Sequence, residues 1–269
     1  MKTNPIVDFI RKFYVYIILV VMYAPILVLI AFSFTDTRII GTWNGFSLRL
    51  YSSLFKNEEI VTAAINTFAV AFASAAVSTI LGTLGAIGIF YSGKRAKAAL
   101  EGIGQIPIMN AEIVTALSLT ILFVFFGVKF NFLTLLVGHV VLTIPFVVLS
   151  VRPKLMQMDP NIYEAALDLG ATPNKALMKV IMPEVIPGIV SGFILSVTLS
   201  LDDYIITAFT KDPAYQTLST YVYGVTSKKG TLPPSLRALT TIITLLALVV
   251  LLIANHRSKT GGKKTHHNR

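Results

Sequence analysis

Residues 159–183 read DPNIYEAALDLGATPNKALMKVIMP, a polar, ordered stretch set between two long apolar runs. Asp159-Pro160 suits the opening of a helix, with the carboxylate accepting backbone N–H groups and proline in the first turn. Tyr163 to Leu169 then reads as a short helix that Gly170 ends, because glycine enters the positive-φ region without steric cost. Thr172-Pro173 repeats the N-cap and first-turn pattern, and a second helix is expected from there to Ile181, stopping at Met182-Pro183. The expectation is a helix–glycine–helix bracket outside the apolar runs. Ala165 and Ala166 keep its surface shallow enough to nestle into a partner, and Glu164 adds one charge; a plain solvated loop is the competing reading.

Outward from the bracket, the chain divides into apolar intervals long enough for a helix to cross a bilayer, which takes about 20 residues. Six stand out: Tyr14 to Phe34, Val61 to Ser92, Gly102 to Val128, Phe130 to Val151, Val185 to Phe209 and Ala238 to Asn255. The expected fold is therefore an all-α membrane protein with six transmembrane helices. Residues 1–60 form a first helix and outer loop, 61–255 a core containing the loop 152–184, and 256–269 a basic tail. Of the 23 Lys and Arg residues, 15 fall on the side of the N-terminus and eight on the other. Basic residues collect on the cytoplasmic face, so both termini are expected inside. The first apolar run, preceded by Lys2, Arg11 and Lys12, exceeds a signal-peptide core and is expected to be retained as a span.

The composition removes several function classes. With 54% hydrophobic and only 13% charged residues, the chain is no ordinary soluble enzyme, and its net charge of +10 is explained by orientation rather than by nucleic acid. No cysteine is present and the four histidines are scattered, which disfavours metal and thiol chemistry. Gly88 to Arg95 mimics a phosphate loop but has Arg95 where a magnesium-binding hydroxyl is required, and it follows a membrane run rather than a strand. No catalytic residue, metal site or cofactor is expected. If the protein uses ATP, another chain hydrolyses it.

The run Glu164-Ala165-Ala166, three residues, Gly170, nine residues, then Val180-Ile181-Met182-Pro183 resembles the E-A-A-x₃-G-x₉-I-x-L-P motif of ABC importer permeases, with Val180 and Met182 as conservative departures. That resemblance implies a type I importer permease fold in which Glu164, Ala165, Ala166, Gly170 and Pro183 form the contact with an ATPase. Trp43-Asn44-Gly45-Phe46 with Tyr51, Leu142 to Val148, and Thr198 to Asp203 resemble the second permease subunit of spermidine/putrescine importers. It implies a sister permease, two copies of a cytoplasmic ABC ATPase that binds ATP and magnesium, an extracytoplasmic substrate-binding protein, and a bacterial inner-membrane location. Importers of ferric iron, phosphonate or thiamine share much of the framework and stay open as substrates. A non-transporting scaffold or receptor is the alternative class.

Carboxylates inside a membrane are costly and usually face a bundle interior or a water-filled path. Glu112, Asp202 and Asp203 are such acids. Extending the helix of the fifth span places Asp203 roughly within the stripe Gly188, Gly192, Ser196 and Ser200, with Asp202 about 40° to its side. Packing between helices is the simplest use of that stripe and of its counterpart Ser74, Ser78, Gly82 and Ala86; a stripe facing a sister permease would put its acid at a shared path. Polyamines carry several ammonium groups on an apolar chain and call for spaced carboxylates and aromatic faces. Asp202, Asp203, Tyr204 and Glu112 are the candidate substrate path, and His139 is expected to hydrogen-bond between helices.

Overall fold

The computed structural model describes residues 5–37, 41–159, 161–229 and 233–261, and all regular structure among them is helical. In chain order the helices are α1 (Pro5–Ser33), α2 (Arg49–Lys56), α3 (Glu58–Tyr91), α4 (Lys94–Met109), α5 (Glu112–Phe125), α6 (Phe132–Gln157), α7 (Ile162–Asp168), α8 (Pro173–Ala176), α9 (Met182–Asp202), α10 (Ile205–Thr210), α11 (Leu218–Lys229) and α12 (Ser235–Gly261). A π-helical turn, Leu177–Ile181, joins α8 to α9. Four stretches are long and apolar enough to cross a membrane: Phe13–Ser33, Glu58–Tyr91, Phe132–Gln157 and Pro173–Asp202. The pair α4 and α5 is long and apolar enough only when taken together, bent by 104° at its break, and the shorter apolar start of α12, Ser235–Leu246, stands where the sixth is expected. The chain is a multi-pass, all-α membrane protein, and the six-span expectation is compatible with it.

Three expectations change. The third apolar run is broken at Asn110 and Ala111, both in extended conformation, just after Pro107. Glu112 therefore opens α5 instead of sitting within a continuous helix, and a helix N-terminus favours a carboxylate. The second helix of the bracket does not stop at Met182-Pro183. The backbone runs on from Pro173 to Asp202, with the π turn just ahead of Pro183. A proline inside a helix lacks an N–H and clashes with the carbonyl four residues back, and a widened turn relieves both problems. Finally, α9 ends at Asp202, so the wheel that carries the helix to residue 203 fails there.

The backbone groups into two compact units, Met1–Val61 with Val225–Arg269, and Thr62–Gly224. In the first, α12 packs on α1 and on the amphipathic α2, whose Leu50 and Leu54 are buried. Arg237 is buried there and donates to the carbonyl of Thr37 at 3.0 Å. Pro160, an expected first-turn proline, and residues 262–269 of the basic tail lie outside the described residues.

In the second unit α6 is the central post. An Asn131–Thr134 capping box starts it, with Asn131 accepting the N–H groups of Leu133 and Thr134. Both small-residue stripes face this helix. Ser78 of α3 meets Thr143 at 2.6 Å, and a Cβ on Gly82 would lie 2.7 Å from that of Val147. On the α9 side, a Cβ on Gly188 would lie 2.8 Å from the Ser150 carbonyl oxygen. The stripe of α9 thus packs against helices of its own chain, as the helix-packing reading expects. Missing Cβ atoms allow close backbone approach where lipid gives no hydrophobic incentive for helices to associate. Toward one end Val147, Val151, Leu155, Met158, Ile181 and Val185 form the largely buried core that roots the bracket.

Candidate functional site

Two broken helices meet where the intramembrane acids stand. In one, α4 gives way to α5 with Glu112 in the first turn; in the other, α9 gives way to α10 at Asp203-Tyr204. α10 packs alongside α5, and the Thr120 hydroxyl bonds the Phe209 carbonyl at 3.0 Å. Asp202 and Asp203 both act electrostatically on Glu112, so the adjacent pair and an acid ninety residues earlier share one region. The end of α9 adds the partial negative charge of its free carbonyls next to Asp202. Together these favour a cation.

The three acids are not equivalent. Asp202 and Glu112 are exposed. Asp203 is buried and its carboxylate is committed: Oδ1 accepts the Ile206 N–H at 3.1 Å, and Oδ2 accepts the Thr207 N–H and hydroxyl, each at 2.8 Å. His139 of α6 lies beside it, Nε2 to Oδ2 3.6 Å, with side chains of both residues only 1% exposed. Three donated hydrogen bonds offset much of the desolvation of this charge. Asp203 thus caps α10 in place of lining an open path, because the helix break turns its side chain back toward the backbone. Tyr204, next in sequence, is half-buried and packs its ring against Tyr223 at 4.5 Å between centroids.

The bracket has the opposite character. Glu164 and Ala165 are exposed, Ala166 is half-buried, and Leu169 is 89% exposed. Gly170 has φ +82° and completes a Schellman ending of α7: its N–H donates to the Leu167 carbonyl at 2.8 Å and the Ala171 N–H to the Ala166 carbonyl at 3.1 Å. Asn161, not Asp159, is the N-cap of α7, and Asp159 instead accepts the Asn161 N–H. Pro173 stands at the start of α8 as the sequence suggests.

Residues 78–258 match the family described as "Binding-protein-dependent transport system inner membrane component". The chain belongs to that family. It is 35% identical over 246 residues to the spermidine/putrescine transport system permease protein PotC of Haemophilus influenzae, covering 91% of this chain and 95% of the relative. The putrescine transport system permease protein PotI of Escherichia coli is 32% identical over 229 residues, with 82% and 81% covered. The fold matches a chain from a bacterial ABC transporter involved in the import of the acidic polysaccharide alginate, with a TM-score of 0.69 at 17% identity over 96% of this chain and 99% of that one.

Within this permease, some polar residues carry no sequence signal of their role. Ser74, Ser200 and Thr207 read as helix-packing or neutral positions, yet they join His139 and Asp203 in one network. A second group, Asn66, Asn131, Phe132, Asp212, Ala214 and Tyr215, lines an open hollow of about 350 Å³ where the loops after α5 and α10 meet α3 and the start of α6. Its aromatic wall is the Phe132–Tyr215 edge contact at 5.9 Å. Burial pushes the Tyr215 hydroxyl above its ordinary pKa; burial likewise lowers the Lys211 ammonium, which donates to the carbonyls of Asp212 and Pro213. Asp212 follows a run of threonine and lysine with no motif around it, so only the folded loop gives it a setting. Among the described residues no group of three His, Asp or Glu side chains is placed to hold a metal.

Proposed function

We propose that this permease is one of two different membrane subunits of an ATP-driven polyamine importer. Its kinship to PotC and PotI supports the substrate class, and the single observation that carries it in this chain is the meeting of Glu112, Asp202 and Asp203 at two helix breaks. Ammonium groups leaving water need replacement ligands, and spaced carboxylates with an aromatic face supply them. In this reading Asp202, Glu112 and Tyr204 face the moving cation, while Asp203 sets the turn that presents them.

The remaining parts follow from the same reading. A sister permease completes the path, and an extracytoplasmic binding protein delivers substrate to the outer loops. Two copies of an ATPase serve the permease pair and hold the ATP and magnesium, one of them docking on this bracket through Glu164, Ala165, Ala166 and Gly170, with Pro183 just behind it; this chain itself performs no chemistry. Both termini lie in the cytoplasm of a bacterial cell. ATP-driven closure of the ATPase pair pulls the bracket, and because α8 and α9 form one continuous rod, the motion reaches the break at Asp203 directly. Access to the acids then alternates between the two faces.

Reconstituting the permease with its sister permease, ATPase and binding protein in lipid vesicles tests the function. ATP-dependent uptake of labelled spermidine or putrescine is the expected result, and Asp202→Asn should lower it about tenfold, as for loss of a charged partner, at unchanged protein level. A complex that hydrolyses ATP with the loaded binding protein but moves no polyamine would refute the substrate class.

A further inference from the structure

The buried contacts around His139 define a directional chain of hydrogen bonds. Thr207 Oγ1 donates its one proton to Asp203 Oδ2 at 2.8 Å, so toward His139 Nε2, 2.9 Å away, it must accept. Nε2 therefore carries the ring proton. With Nε2 protonated, Nδ1 accepts, so the Ser200 hydroxyl donates to it at 2.7 Å, while Ser74 Oγ lies 3.2 Å from both Ser200 Oγ and the Ala71 carbonyl. The polarity runs from Ser200 to His139 to Thr207 to Asp203, with Ser74 in contact at its head. Bonds arranged head to tail polarise one another, and this chain ends on a carboxylate. It also crosses four helices, α3, α9, α6 and α10, and closes on both sides of the α9–α10 break. Thr143 Oγ1 adds a bond to the His139 carbonyl at 2.7 Å, pinning the backbone that carries the ring.

We propose that His139 is a positioning residue for the cation path: as the neutral Nε2–H tautomer it holds the Asp203 turn, and through that turn it fixes the direction of Asp202 and Tyr204. This inference rests on the reading of Asp202 as path-facing. His139 touches no substrate. Its two ring nitrogens sit at the only point in this chain of bonds where a single side chain both receives a proton from α9 and delivers one to α10. An apolar residue of similar size would fill the space but remove the acceptor of the Ser200 proton and the donor to the Thr207 hydroxyl. The cost would fall on the geometry of the break, since Asp203 would lose the group that orients its Thr207 donor.

The absence of cysteine allows a direct test, because Asp202→Cys creates a single thiol in this chain whose labelling by a charged reagent reports its orientation. In the assembled complex, His139→Leu and Thr207→Val should each change the labelling rate about fivefold or more, as expected when a buried hydrogen bond is removed. His139→Gln, which offers a donor and an acceptor, should stay within about twofold of the parent. With Asp202 in place, His139→Leu should raise the Michaelis constant for polyamine about tenfold while the maximal rate holds. Thr207→Val keeps side-chain volume and serves as the second probe if the leucine variant does not accumulate. Unchanged labelling in both variants at normal membrane abundance, or His139→Gln as damaging as His139→Leu, overturns the proposal. If Asp202→Asn leaves uptake unchanged, the path reading fails separately, and the labelling arm still judges the hold of His139 on the turn.

Discussion

Glu164, Ala165 and Leu169 of the bracket are exposed, whereas Ser200, His139 and Asp203 are buried and joined through Thr207 in one hydrogen-bonded network. Both regions draw attention in the sequence through scarce acids, yet folding treats those acids in opposite ways. Glu164 is left for something outside the chain to meet. Asp203 is consumed inside it, by three donors within 3.1 Å. The lesson is that an acid in a membrane run marks either a path or a helix break, and backbone geometry decides which. Asp202, one residue earlier, remains exposed because it is the last residue of α9 rather than the cap of α10.

Substitutions in the two regions should fail differently. The largest effect is expected at Gly170, where φ of +82° would strain any residue with a side chain by about 1–2 kcal/mol. Gly170→Val should abolish uptake and uncouple ATP hydrolysis from transport, with membrane abundance unchanged because the turn is exposed; Glu164→Ala should do the same less completely. Normal transport in both would remove the bracket from coupling. Next is Gly188→Ala in α9. Its new Cβ would lie 2.8 Å from a backbone oxygen of α6, and such overpacking costs about 1–3 kcal/mol, read as a lower melting temperature of the purified permease.

The contrast between adjacent aspartates gives a finer test. Asp203→Asn keeps the shape of the cap but substitutes a donor for an acceptor among three donors, so it should reduce abundance and stability more than Asp202→Asn does. Loss of uptake at full abundance for Asp203→Asn would instead return that residue to the path. The smallest effect belongs to the Glu101–Arg152 ion pair between α4 and α6, at 2.7 Å with side chains 24% and 29% exposed. A double-mutant cycle on Glu101→Gln and Arg152→Gln should give a coupling of less than about 1 kcal/mol in thermal unfolding.

Much of the architecture could be read from residue patterns. Long uncharged intervals located the crossings, and Gly170 and Thr172-Pro173 located the bracket, since caps and spans depend on local chemistry. The helix breaks were harder. Asn110-Ala111 carries no strong terminator, and nothing between Leu201 and Tyr204 forbids a helix; α9 stops there because Asp203 finds better partners in α10 and α6 than a continued helix would give it. Single-helix wheels assume away that competition. The direction of the α9 stripe was also beyond the sequence, because Gly188 and Gly192 fit any close neighbour, and only the fold identifies it as α6.

The π turn at Leu177–Ile181 sets a phase. A π turn is equivalent to one residue inserted into a helix, which rotates everything beyond it by about 100° relative to an unbroken helix. The buried stripe of α9 and the outward face of the bracket are therefore indexed to each other through this one irregular turn. Deleting a single residue between 177 and 181 would restore a regular helix and improve its local hydrogen bonding, yet turn the bracket about a quarter of the way around its axis. Chimaeras that exchange brackets between permeases should work only when the splice preserves this count.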